Sequence, residues 1–153
     1  MSETLEEGTR MEADQSKLVR VLVRVIVAGT RYFNDVEYMR KHLTAVITDL
    51  KKIYPDAIIE IVSGGAKGAD WLAEKYAEYY GLALKRMPAD WNQYGSAAGP
   101  IRNKEMLDYA CEKIPVLAAF WDGKSSGTRN MISISRNAGI PVHVFYYTCR
   151  DFT

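Results

Sequence analysis

Several short stretches of this chain carry side chains suited to holding an anion. The most concentrated is Ser63-Gly64-Gly65-Ala66-Lys67-Gly68, with Asp70 two residues further on. Glycines let a ligand approach the backbone closely, and a helix starting just after them would aim unpaired N–H groups at it. A serine hydroxyl and a lysine ammonium add a donor and a charge. Three further small-residue stretches bear a cation each: Gly29-Thr30-Arg31, the run from Asp90 to Asn103 with Arg102, and Asp122-Gly123-Lys124-Ser125-Ser126-Gly127-Thr128. Arg102 falls in the first turn of an expected helix, where a cation is disfavoured by roughly 0.3–1 kcal/mol. It calls for an anion, from a ligand or from a carboxylate such as Asp90 or Asp122. Asp70 is expected to complement a helix start and stays a candidate for ligand contact.

Other chemistries find less support. Gly123-Lys124-Ser125 ends like a P-loop, but the earlier glycine of that motif would be Ala118. No G-x-G-x-x-G follows the first strand. His42 and His143 are isolated, and Ser63 has no histidine nearby in sequence, so neither a zinc site nor a serine nucleophile is indicated. Cys111 and Cys149 lack metal or redox spacing.

The elements that would position these loops alternate in type. Val21–Ala28 reads as a central parallel strand, an apolar run interrupted by one arginine. Asn34 with Glu37 forms a capping-box pattern ahead of a helical stripe through Met39, Leu43, Val46, Ile47 and Leu50. Ile58–Val62 is a second buried strand. Ala69, Leu72, Ala73, Tyr76, Ala77 and Tyr80 then share one helical face, and Gly81 suits a left-handed stop. Trp71 falls on the opposite face, beside Glu74, Lys75 and Glu78. Leu82–Met87 is a third strand and Pro88–Gly99 a loop. Pro100 fits the first turn of a helix through Ile101, Met106, Leu107 and Ala110. Val116–Trp121 is a fourth strand, a helix bearing Met131 and Ile132 stops at Gly139, and Pro141–Tyr147 is the last strand. Near-continuous apolar strands alternating with helices predict an α/β fold with a parallel sheet covered on both faces. In such sheets ligands bind beyond the carboxyl ends of the strands, where all four cation-bearing loops fall.

The chain has 153 residues, 48% of them hydrophobic and 25% charged, with a formal net charge of +1. That length suits one domain, and the charge excludes a wholly basic nucleic-acid binder. Residues 1–19 are expected to be a mobile, acidic tail and 20–153 a single domain. No apolar run approaches the ~20 residues of a membrane span, and no secretory leader is seen. A cytoplasmic protein without a membrane partner is expected.

Val62-Ser63-Gly64-Gly65-Ala66-Lys67-Gly68-Ala69-Asp70, then Gly99-Pro100-Ile101-Arg102-Asn103, then Ser126-Gly127-Thr128, resemble the SLOG superfamily. The nearest branch is the YspA/YpsA-related group of bacteria and phages, and the similarity spans roughly Val21 to Tyr147. The resemblance implies a Rossmann-like three-layer sandwich with a mostly parallel sheet of five strands or slightly more. It also implies loops that bind a nucleotide or a nucleotide-derived small molecule, such as a signal nucleotide. Ser63–Asp70 resembles the glycine-rich loop of the DNA-processing protein DprA, and Arg102-Asn103 its Arg-Asn pair. Gly127-Thr128 matches LOG phosphoribohydrolases, whose catalytic glutamate would fall at Met131, so LOG-type hydrolysis is not expected. Two alternatives follow. One is a hydrolase of an N-glycosidic or phosphate bond using Asp70, Asp90 or Asp122. The other is a DprA-like single-strand binder stacking bases on Trp91, Tyr94 or Trp121. No cofactor is called for beyond the nucleotide-like ligand; a magnesium ion is compatible with it, but no residue pattern indicates one. Relatives of this kind associate, so a homodimer or a tetramer is expected, with Trp71 at or near the contact.

Overall fold

A computed structural model describes residues 20–148, so the expected tail at 1–19 and Cys149 lie outside the described residues. The elements run β1 (Leu22–Gly29), α1 (Val36–Ile53), β2 (Ile58–Ser63), α2 (Ala69–Tyr80), β3 (Ala83–Arg86) and the short α3 (Trp91–Tyr94). They continue with α4 (Ala98–Cys111), β4 (Ile114–Trp121), α5 (Ser126–Asn137) and β5 (Val142–Tyr146). All pairings among the strands are parallel, in the order β3-β2-β1-β4-β5. This is a five-stranded, Rossmann-like α/β sheet, and the strand order reverses between β1 and β4.

β1 and β4 are the interior strands next to that reversal, and both are almost wholly buried, which their near-continuous apolar sequences anticipate. Val23, Val25 and Val27 face the layer formed by α1 and α2, packing with Leu43, Ile61, Ala73, Ala77 and Phe120. Ile26, Ala28 and Leu117 face the layer of α4 and α5, with Met106, Leu107, Met131 and Ile132. Parallel strands need crossovers, and the helices supply them on both faces. Arg24 is tolerated inside β1 because its Nε reaches Glu60 Oε1 at 2.9 Å, its NH1 donates to the Tyr109 carbonyl at 2.6 Å, and its guanidinium lies 3.6 Å from the Tyr109 ring centre.

Some local expectations shift. Asp35 rather than Asn34 caps α1, its carboxylate accepting from the Tyr38 N–H at 3.0 Å, because the helix begins two residues after Asn34. The stretch Pro88–Gly99 is not wholly loop. It holds α3, a 3₁₀ turn at Gly95–Ala97 and the first residues of α4. Gly81 takes the left-handed conformation anticipated for the end of α2.

Candidate functional site

A crevice of about 690 Å³ opens where the carboxyl ends of β1 and β4 diverge. This is the place in a doubly wound sheet where two loops turn to opposite faces and leave room between them. It gathers residues from four segments: Gly29, Thr30 and Arg31 after β1, Ala66 and Asp70 after β2, Arg102 and Asn103 in α4, and Asp122, Ser126, Gly127 and Thr128 after β4. Arg102 is the fifth residue of α4 rather than part of its first turn, because the helix begins at Ala98, ahead of Pro100. Ser63, Gly64, Gly65, Lys67, Gly68 and Asp90 do not line it. Gly65, Lys67 and Gly68 border a separate shallow hollow of about 420 Å³, beside Trp71. Asp90 caps α3, accepting from the Gln93 N–H at 3.1 Å.

The glycine-rich turn after β2 is folded on itself. Ser63 is fully buried; its hydroxyl donates to Glu74 Oε2 at 2.8 Å and accepts from the Gly65 N–H at 3.1 Å. The Ala66 N–H donates to Asp70 Oδ2 at 3.1 Å, and the Ala69 N–H to the Thr30 carbonyl at 3.3 Å. Glu74 in turn pairs with Arg86 at 2.7 Å. Three amide donors that a phosphate would need are thus already engaged. The glycines serve close packing: a Cβ at Gly64 would collide with the Arg102 guanidinium, and one at Gly68 with the Thr30 and Arg31 carbonyls.

The turn after β4 is built differently. Asp122 accepts from the N–H groups of Lys124 and Ser125, each at 2.9 Å, and Trp121 Nε1 donates to the Ser125 carbonyl at 3.0 Å. No side chain caps α5, and added Cβ atoms at Gly123 or Gly127 would meet nothing within 4 Å. The opening N–H groups of this 12-residue helix therefore lack side-chain acceptors on the crevice rim.

Arg102 and Asn103 tie the two turns together. Arg102 NH1 donates to the Gly64 carbonyl at 2.5 Å and its Nε to Asn103 Oδ1 at 3.1 Å. Asn103 Nδ2 donates to the Gly127 carbonyl at 3.2 Å and to Asn130 Oδ1 at 2.9 Å. Neither Asp90 nor Asp122 neutralises Arg102; the carboxylate whose charge it feels is Asp70. Burial lowers the Arg102 pKa, and Asp70 opposes that.

Asp70 is 7% exposed. Burial pushes its carboxyl up to about 6, against the Ala66 N–H and the charges of Arg102 and Arg31, with Glu74 adding to the rise. Its Oδ2 is held by the Ala66 N–H, and its Oδ1 is not among the sealed polar atoms left without a partner. Burial also pushes Asp122 up, but the Ser125 and Lys124 N–H groups and the nearby Thr30 hydroxyl outweigh it and hold this carboxyl low. Thr30 Oγ1 itself is buried, with no partner at full hydrogen-bond distance.

Opposite these groups Trp91 lines the crevice under the Arg31 guanidinium, 5.5 Å from the ring centre. Tyr32, Ser96 and Asn130 also line it and were not singled out by sequence reasoning. Tyr32 directly follows the Gly-Thr-Arg turn, and Asn130 lies four residues after Ser126, one turn along the same helix face; those spacings were the available signals. Met131, fully buried, forms part of the crevice wall where a LOG enzyme would have its glutamate. Among the described residues no cluster of His, Cys, Asp and Glu is arranged to hold a metal ion, and no helix is long and apolar enough to cross a membrane.

The strand order defines a Rossmann-like α/β protein, with a crevice of nucleotide-compatible size at the reversal. A sequence model of the YspA, cpYpsA-related SLOG family matches residues 23–94. The chain is also 33% identical over 124 residues to the Gene 61 protein of Mycobacterium phage D29, covering 78% of this chain and 93% of that protein. The chain belongs to this SLOG family, which associates it in general terms with nucleotide-related ligands. No solved structure matches it.

Proposed function

We propose that the protein binds a phosphorylated nucleotide or nucleotide-derived small molecule in the β1/β4 crevice. The observation that carries this reading is the uncapped amino terminus of α5, set in a crevice that also presents Arg31, Arg102 and Lys124. Helix N–H groups and guanidinium donors together favour a phosphate, while Trp91 offers a flat apolar face to a base. The phosphate sits at Ser126–Thr128 rather than within Ser63–Gly68, whose donors are engaged internally. Binding without turnover is favoured over hydrolysis, because Met131 supplies no carboxylate and Asp122 is held by backbone N–H groups.

Calorimetry with a panel of nucleoside mono- and diphosphates tests the reading, together with mass spectrometry of small molecules released from purified protein by heat. Gly127→Val should abolish nucleotide binding while the fold persists, since a side chain there enters open space on the rim. Undiminished affinity in that variant overturns the placement of the phosphate. Chromatography of the same mixtures should show no free base; release at about 1 s⁻¹ or faster would establish an enzyme instead.

The expected protein partner is a second copy. Trp71 is 53% exposed on the outer face of α2, beside a groove of about 790 Å³ that it shares with Val36, Tyr79 and Tyr80. Light scattering should give a mass above one chain that falls on Trp71→Glu; a one-chain mass for the wild type at micromolar concentration ends this proposal.

A further inference from the structure

The crevice groups form an ordered series. Asn103 bonds the first turn of α5 and holds Arg102; Asp70 feels the charges of Arg102 and Arg31; and Arg31 sits over Trp91. One end of the series is rich in N–H donors, the other is aromatic beneath Arg31, and between them stands a buried carboxylate. We infer that Asp70 receives a ribose hydroxyl, so that the crevice favours a ribonucleotide over the form that lacks that hydroxyl.

The inference rests on the nucleotide reading above and deepens it. In a nucleotide the sugar lies between phosphate and base, so the group midway along the series faces the sugar. Asp70 lines the crevice; among the described residues its Oδ2 accepts from the Ala66 N–H, and its Oδ1 is not one of the sealed polar atoms without a partner, so it opens to the crevice. Such an acceptor is hydrated until a bound ligand displaces the water, and it then costs free energy unless the ligand supplies a donor. Ionised at pH 7.5, a carboxylate is acceptor-only. It repels a phosphate and requires an O–H or N–H, and the donors a ribose offers are its hydroxyls. A site built around such an acceptor rejects the analogue that lacks the hydroxyl more strongly than an apolar pocket could, because the carboxylate is then left buried and unpaired. Oδ2, fixed by the Ala66 N–H, sets the carboxyl's orientation in advance.

The probes are the four common ribonucleoside 5′-monophosphates and their 2′-deoxy and 3′-deoxy counterparts, titrated calorimetrically into the full chain at pH 7.5. The tightest-binding ribonucleotide should exceed at least one of its deoxy forms by tenfold or more. Asp70→Asn, which keeps an acceptor for Ala66 and removes the charge, should collapse the ribo-to-deoxy affinity ratio to less than about twofold. Equal wild-type affinities for the ribo and both deoxy forms overturn the inference while the nucleotide reading stands. Failure of every nucleotide to bind overturns that reading and the inference with it. Should Asp70→Asn fail to fold, the wild-type ratios decide alone.

Discussion

The turns after β2 and β4 look alike on paper, each with glycines, a serine and a lysine at a helix start and neither helix with a side-chain cap, yet their hydrogen bonds run differently. In Ser63–Gly68 the donors face inward, to the Ser63 hydroxyl, the Asp70 carboxylate and the Thr30 carbonyl. Its glycines are where backbone from β1 and the Arg102 side chain come too close for a Cβ. In Asp122–Gly127 the Asp122 carboxylate ties the turn below the helix, and the α5 amino terminus is left without a side-chain cap. A count of glycines therefore does not locate an anion site. The decisive quantity is the number of N–H groups still without an acceptor once the turn has folded.

The sharpest way to break this comparison is to place a methyl group on each turn. Gly68 has φ +74, and its Cβ would collide with the Arg31 carbonyl oxygen. Gly68→Ala should cost roughly 3–5 kcal/mol, strain and overpacking together. Gly127→Ala, in open space at a helix start, should change stability by less than about 1 kcal/mol in either direction. Urea denaturation of both variants measures the difference, and equal losses would erase the distinction between the turns.

The next effect comes from Asp70, which closes the inner turn. Its carboxyl ordinarily ionises near 3.8, but at about 6 in the folded protein. The folded state thus keeps the proton longer, so the stability this group contributes is complete below pH 4 and is lost as pH rises through 6. A gap of that size corresponds to on the order of 3 kcal/mol. Asp70→Asn should therefore gain on the wild type between pH 4 and 7.5 in urea midpoints. A constant difference across that range would show that the carboxyl is not raised.

Arg102 joins the two turns, and its removal should touch both. Arg102→Ala should weaken nucleotide binding by roughly 1.5–3 kcal/mol, the range for charged hydrogen bonds. Bonded to the Gly64 carbonyl and Asn103, it should also cost stability without ligand, by about 1 kcal/mol. Calorimetry and thermal melts separate the two losses. Unchanged binding with a large stability loss would make Arg102 purely a strut between the turns.

The apolar pattern alone dictated the sheet, because strands buried on both faces need near-continuous apolar runs and parallel neighbours need helical crossovers; Val25–Ala28 and Val116–Phe120 carry that requirement openly. The sequence also placed Asp70 and Thr128 at helix starts, since glycine, serine and charge patterns mark those positions locally, whereas Arg102 falls in the second turn of a helix that begins at Ala98. It did not reveal that Ser63 would turn to Glu74, that Asp70 would feel Arg102 rather than leave that role to Asp90 or Asp122, or that Trp91 would lie under Arg31. Those pairings join residues 11 to 60 positions apart. Only the tertiary structure decides them, because whether a hydrogen-bonding group is satisfied depends on what the folded chain brings within about 3 Å of it, and local pattern carries no record of that distance.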